Sequence, residues 1–483
     1  MKKSLILILI LPFLSNASPW INSDQMGLRL KVESLSLCGI NTPNLNHFPY
    51  NLSNIYNEID ISDLSNQSEK CLKLASDLKT FIETRISNNT LRFGIQSKGS
   101  DQKLTDFGKK SLNESNAYFI LENTSKNWSV RLQGTKLKQE GRTINRFDES
   151  YIAYTFNNKV ISLGRISKWW SPSWDTSLIL SNNPRPIPII SFSNNLATSL
   201  DFPFVRLLGP LNYEIFLGEL EESRSVPKAK ILGTRISFNP KPRFNMSLFR
   251  TGQFGGDGRP EDLKTLVKFI IGQDNVGFDG VTSENQPGNQ LAGIDFKIKL
   301  LKQSNLEFFA QIVGEDKGEQ VLVPTKTFYN IGIGYFFPES KGLDKILLEY
   351  TDTQAYIKKK KNEFLNITYN HSLYSDGYRY YKKPIGSSID ADSSKLSFTY
   401  LHQLPNDHIF KIKYSNANIN KNNNLKNYWG NALRKIEALE LSYSTQVTKK
   451  IEIFIEYIAF KDDYLNFDNK DQNLLMRVEY LVL

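Results

Sequence analysis

Cysteine and histidine are almost missing from this chain. Cys38 and Cys71 are its two thiols, and His47, His371, His402 and His408 its four imidazoles, among 483 residues. None of the histidines stands in a metal-ligand spacing or beside a nucleophile elbow, so neither a metal nor a cofactor is expected. Long apolar runs are missing too. Beyond the first twenty residues nothing approaches the ~18 consecutive apolar positions of a membrane-spanning helix. No internal repeat of fixed period is visible, which leaves a soluble propeller without support. Gly255-Gly256-Asp257-Gly258-Arg259-Pro260 is rich in glycine, but it lacks the Lys-Ser/Thr of a phosphate-binding loop and reads as a tight turn.

What is present begins with a leader. Met1-Lys2-Lys3 precedes a short apolar core from Leu5 to Leu14 and the small residues Ser15 and Ala17. That pattern predicts a secretory signal over residues 1–17, cut after Ala17. A retained anchor is the alternative, and its ~11 apolar residues fall short of ~30 Å of hydrocarbon. The mature chain is then either soluble in the periplasm or crosses a membrane as a barrel. An aromatic content of 12% and a mean hydropathy of −0.39 suit alternating strands joined by polar loops. The net charge of +10 is a modest excess for this length. Acidic glycans or an anionic membrane would match it, as would a plain solvated surface; nucleic acid is not expected.

Residues 18–88 have helical spacing: Leu28, Val32 and Leu35 in one stretch, and Cys71, Leu74, Leu78, Phe81 and Ile82 in another. Asn41-Thr42-Pro43-Asn44 and His47-Phe48-Pro49-Tyr50 separate the first from a short segment at Leu52 to Ile59, and Ser62 to Ser68 offer caps. Both cysteines fall here. In an oxidising compartment they can pair, worth about 3.5 kcal/mol on the chain-entropy account. Alternatively, Cys71 is a small buried hydrophobe on an apolar helical face.

From residue 89 to 483 the period becomes two. Leu91, Phe93 and Ile95 alternate with Arg92 and Gly94, and Ile294, Phe296 and Ile298 with Asp295 and Lys297. At the C-terminus Leu474, Met476, Val478, Tyr480 and Val482 alternate with Arg477 and Glu479. A soluble sandwich alternates as well, but apolar alternation running to the chain end is what barrel-insertion machinery reads. The length leaves room for about sixteen to twenty strands of a transmembrane barrel. Glycine-rich 272–290 and asparagine-rich 416–427 read as loops, the latter disordered at its tip.

Residues 168–188, Lys-Trp-Trp-Ser-Pro-Ser-Trp-Asp-Thr-Ser-Leu-Ile-Leu-Ser-Asn-Asn-Pro-Arg-Pro-Ile-Pro, suit neither a strand nor a helix and imply an inward-folded segment. Trp169, Trp170, Pro172, Asn182, Arg185 and Pro186 stand where the Wzi family of capsule assembly proteins carries a tryptophan-tryptophan-glycine-proline and an asparagine-x-arginine-proline element. Ser171 and Ser173 sit in place of glycine. Further blocks resemble the family in the same order: Gln253 to Asn275, Asn289 to Asp295, Gln311 to Asp316, and Tyr369-Asn370-His371 followed by Gly377-Tyr378-Arg379-Tyr380. The resemblance implies an all-β barrel of about 18 antiparallel strands in the outer membrane of a Gram-negative bacterium, closed below by a small periplasmic helical bundle. It also implies a monomer that is not an enzyme: a lectin-like protein that retains capsular or other surface polysaccharide among outer-membrane lipids and lipopolysaccharide.

Aromatic faces and planar hydrogen-bonding groups suit sugars, which makes Tyr378, Arg379, Tyr380 and Lys382 candidate contacts. An aromatic girdle beside a basic turn explains them equally well. For Trp169, Trp170 and Trp174 packing of the lumen is the leading reading and sugar contact the second; Arg185 either bridges wall carboxylates or meets an anionic sugar. A porin is the competing function. A hydrolase assembled from separate strands is a third.

Overall fold

Eighteen antiparallel strands close on themselves in the computed structural model. It describes residues 20–40, 46–62, 64–99, 104–108, 112, 114–125, 127–139, 141–200, 202–203, 205–241, 243–271, 288–300, 305–317, 324–338, 340–357, 360–465 and 467–482. The leader at 1–17, the chain break at 41–44 and most of the glycine-rich loop after Ile271 lie outside the described residues. In order the wall is β1 (Thr90–Gln96), β2 (Asn116–Thr124), β3 (Trp128–Gln139), β4 (Tyr151–Phe156), β5 (Lys159–Arg165), β6 (Pro188–Asn194), β7 (Leu211–Glu219), β8 (Lys230–Lys241) and β9 (Phe244–Phe254). It continues through β10 (Gly288–Lys299), β11 (Leu306–Lys317), β12 (Pro324–Phe337), β13 (Leu343–Ile357), β14 (Ser394–Gln403), β15 (Ile409–Ile419), β16 (Arg434–Thr448), β17 (Ile451–Tyr464) and β18 (Phe467–Leu481). Closure comes from β18 against β1, with Leu481 opposite Arg92 and Arg477 opposite Gln96.

The two faces of the wall are inverted relative to a soluble protein. On β16, Glu440 is 1% exposed while Leu439 and Leu441 on either side are 39%. Phe93 and Ile95 of β1 and Leu474, Met476 and Tyr480 of β18 are likewise exposed. A water-soluble sandwich would place its apolar set inside. An apolar belt outside and charges inside require hydrocarbon around the molecule, so the alternation belongs to a membrane barrel.

Connections differ at the two ends. Where β1 begins and β18 stops, several turns are short: 125–127, 157–158, 242–243 and 449–450. At the opposite end lie 166–187, 255–287 and 365–393. Strand β9 runs to Phe254, so the glycine-rich turn starts at Gly255. The asparagine-rich segment differs from expectation. Asn416 to Ile419 belong to β15, and Asn420, Asn424 and Asn427 are buried. Their amides replace the missing ladder: Asn420 Nδ2 donates to Asn424 O at 3.0 Å and Gly430 O at 2.9 Å, and Asn427 Nδ2 to Ala391 O at 3.0 Å.

Among the described residues three α-helices precede the wall: α1 (Met26–Leu35), α2 (Leu52–Ile61) and α3 (Glu69–Ser87). Asn51 caps α2 by accepting from Ser53 N at 2.9 Å, and Ser68 caps α3 by accepting from Cys71 N. A disulfide joins Cys38 to Cys71, with Cα atoms 5.6 Å apart. Lys70 of α3 donates to Ser340 O at 2.9 Å in the turn between β12 and β13, which puts α3 at the short-turn end. Helix α1 goes further in than a lid would. Its Arg29 and Glu33 are fully buried, Glu33 against luminal lysines of β10 and β13.

Candidate functional site

The long-loop end folds back into the barrel. Trp169 and Trp170 are completely buried and Trp174 nearly so. Trp169 exchanges backbone hydrogen bonds with Phe48 at 2.8 and 3.0 Å, joining the plug to the segment between α1 and α2. Phe107 meets Trp169 and Trp174 edge-on, with centroids 5.8 and 5.5 Å apart. Above Trp174, at 4.3 Å, lies the Arg29 guanidinium, which also donates to Ser173 O at 3.0 Å and Pro172 O at 2.7 Å. These contacts use the indole faces that a sugar would need, so the three tryptophans serve as plug.

The serines standing in place of glycine stitch this loop. Ser173 Oγ accepts from Thr176 N at 2.9 Å and Asp175 N at 3.1 Å, and donates to Glu349 of β13. Glu349 also accepts from Trp174 N at 3.2 Å and Asp175 N at 3.1 Å. Asp175 pairs with Lys395 at 2.9 Å and Lys413 at 2.6 Å, from β14 and β15. Burial would raise its pKa, but the two ammonium groups hold it down at about 2. Glu33 is treated alike: burial acts upward, and Lys297 and Lys345 keep its carboxyl well below the usual range.

A second inward loop, 365–393, packs beside the first. Tyr369 OH donates to Leu178 O at 2.7 Å, Tyr378 OH to Ile179 O at 3.0 Å and Tyr374 OH to Gly255 O at 3.0 Å. Arg379 grips Asp390 with both carboxylate oxygens, at 2.7 and 2.9 Å. Tyr378, Arg379 and Tyr380 are all buried, which corrects their expected place on a sugar-facing surface: the Tyr378 hydroxyl and the Arg379 guanidinium are spent on neighbouring carbonyls and a carboxylate. Burial pushes the Tyr380 phenol up to about 12 against the pull of Arg165 and Arg185.

At the rim the chemistry changes. Lys382 is exposed, Tyr381 beside it is 47% exposed, and the Arg185 guanidinium sits 5.3 Å from the Tyr381 ring centroid. Arg185 also donates to Asp148 at 2.7 Å. The other Asp148 oxygen and Arg185 Nε have no protein partner. Of the sequence candidates, Arg185 and Lys382 therefore share an accessible patch, whereas the tryptophans and Tyr378 to Tyr380 do not reach it. The sequence did not single out Tyr381 within its aromatic run and gave no sign of Asp148, which acquires meaning only through a loop 37 positions away.

Two cavities bracket the plug. One of about 30 Å³ lies beside Ser167, Lys168 and Arg185, room for one water and not for a sugar ring. The other, about 320 Å³, lies at the short-turn end between the helices and the wall, with Asp24, Lys31, Arg92, Arg131, Arg477 and Glu479 in its lining. Histidines carry structural contacts: His402 Nδ1 lies 2.6 Å from Asp344, His408 2.6 Å from Tyr443 OH, and His371 Nδ1 accepts from Leu373 N and Tyr374 N. Ser340 bonds to Asp344 and not to a histidine, which is not the order of a serine-histidine relay. Among the described residues no three His, Cys, Asp or Glu side chains are grouped to hold a metal ion.

Comparison with known proteins adds three findings. The family model described as capsule assembly protein Wzi matches residues 86–474. A Klebsiella pneumoniae relative, an uncharacterized 55.8 kDa protein in the cps region, is 32% identical over 234 residues, which make up 47% of this chain and 45% of that protein. The chain thus matches under half the length of that relative. Among solved structures, Escherichia coli Wzi, described as an outer-membrane carbohydrate-binding β-barrel involved in group 1 capsule assembly, superposes with a TM-score of 0.80 at 21% identity. That superposition covers 95% of this chain and 99% of the other.

Proposed function

Because the chain belongs to the Wzi capsule assembly family, we propose that it is an outer-membrane barrel that binds capsular or another surface polysaccharide and holds it at the cell surface without turnover. The observation that carries this reading is the division of labour between lumen and rim. Aromatic side chains and paired charges fill the interior, while Arg185, Tyr381 and Lys382 stay accessible at the long-loop end. Long loops face outward in outer-membrane barrels and short turns face the periplasm, so the rim faces the polymer and α3 the periplasm. A planar guanidinium beside a tyrosine face suits a sugar bearing a carboxylate: the ring stacks while the cation pairs.

The test is the distribution of high-molecular-mass polysaccharide between cells and medium, in the native strain, an in-frame deletion and its complemented form. Transfer from cells to medium at constant total is expected on deletion. An unchanged distribution would reject retention and favour a substrate-selective channel.

A further inference from the structure

The loop between β9 and β10 carries a helix that neither the plug nor the rim patch uses. This helix, α4 (Leu263–Ile271), starts at Asp262, whose carboxylate accepts from Thr265 N at 2.7 Å. It lies outside the barrel. Phe269 is buried with Leu232 and Phe254 and packs with Leu266, on the side of β8 and β9 that faces away from the lumen. Gly252 and Gly288 form the floor beneath the Phe269 ring. A Cβ at either would stand 2.5 or 2.8 Å from ring carbons, so the helix can lie this close only over glycine. Arg250, also pointing outward, donates to Phe269 O and Ile270 O, both at 2.7 Å, and so satisfies carbonyls at the helix end.

About a quarter turn round α4 from Phe269 and Leu266, the flank is apolar with nothing packed on it among the described residues. Leu263, Val267 and Ile270 recur at four and three residues, and they are 76, 47 and 48% exposed. That stripe continues the outward apolar belt through Leu248 of β9 and Ile236 of β8, both exposed to a similar degree. The helix sits over the Phe254 end of β9, the end that leads into a long loop, and exposed Lys264 lies next to Leu263. In water such a face would be a liability. At the boundary between acyl chains and anionic headgroups it is favourable, since apolar side chains enter the hydrocarbon while a lysine stem reaches the phosphates.

We infer that α4 is an interfacial helix that lies in the outer leaflet with Leu263, Val267 and Ile270 among the acyl chains, fixing the height of the long-loop rim above the membrane. The inference rests on the barrel being embedded, and the experiment reads that premise separately. Val267→Cys, Leu248→Cys and Leu425→Cys are spin-labelled in the full chain, whose two native cysteines are joined, and reconstituted into phosphatidylethanolamine–phosphatidylglycerol vesicles. Relaxation by oxygen is compared with relaxation by a water-soluble nickel chelate.

Leu248→Cys reports the embedded wall and Leu425→Cys, on a loop residue 83% exposed, reports water. The expected result at Val267→Cys is oxygen access at least fivefold above nickel access, close to Leu248→Cys. A label that matches Leu425→Cys overturns the inference by placing the helix in water. A label shielded from both relaxants overturns it by placing protein over that face. If Leu248→Cys itself is nickel-accessible, the embedded barrel fails and takes the inference with it.

Discussion

Two carboxylates with opposite shifts make the residue scale testable. Asp175 has a folded-state pKa of about 2, below its ordinary value, so its pairs with Lys395 and Lys413 stabilise the protein fully above pH ~4 and lose that contribution as pH falls toward 2. Asp175→Asn takes the paired carboxylate from buried Lys395 and leaves Lys413 with Asp106 alone, and should cost ~3–5 kcal/mol at pH 7, read from denaturant midpoints in detergent. Half-buried Glu149 runs the other way. Burial, and then the Asp24 charge, push it up to about 7 against the Ser167 hydrogen bonds. A raised carboxyl contributes stability below its unfolded pKa and loses it as pH rises through 7, so Glu149→Gln should stabilise at pH 8 and change little at pH 4. At the rim, Arg185→Ala combined with Tyr381→Ala should release polysaccharide to the medium with the unfolding midpoint nearly unchanged. Arg379→Ala should instead lower the midpoint, because it strands Asp390. Equal effects of the two variants on retention at equal stability would reject the separation of rim from plug.

At the scale of elements, the wall and helices were legible because each obeys a simple period. Leu474 to Val482 alternate without interruption, and β18 covers all but the last of these residues. What the period could not reveal was on which side of the wall an element lies. Arg29 and Glu33 are an ordinary helical i, i+4 pair in the sequence, yet in the lumen Lys297 and Lys345 hold Glu33 while Pro172 O and Ser173 O hold Arg29. Tyr378 and Arg379 looked like surface because their partners, Ile179 O in the first inward loop and Asp390 eleven residues further along the second, meet them only in the folded plug. The disulfide between Cys38 and Cys71 ties the end of α1 to the start of α3. Cys71→Ser should therefore loosen the short-turn end by about 3 kcal/mol on the loop-entropy account, visible as faster amide exchange in α2 and α3 with β14 to β17 unchanged.

For the whole molecule the prediction concerns conductance. A barrel whose interior is packed with indoles, phenols and paired charges should show no sustained steps in planar bilayers, while steady open levels from purified protein would argue for a channel. The strands were readable from alternation; that they close as a barrel followed from alternation reaching the chain end together with the family resemblance. The tryptophan segment was legible as an inward fold, but not that 365–393 joins it, because no local pattern states that the two loops share one interior.

The charge pairs between plug and wall also impose an order in time. Glu33 and Lys345 are 312 positions apart, and Asp175 waits for cations from β14 and β15. Glu33 starts with Arg29 alone, and Asp175 has no lysine beside it until β14 and β15 are in place, so its carboxylate keeps its hydration shell. Water is therefore the first occupant of the interior and can leave only after the later strands arrive. The biogenesis of this protein ends with drying, and a molecule stalled before β15 would be a wet, open ring.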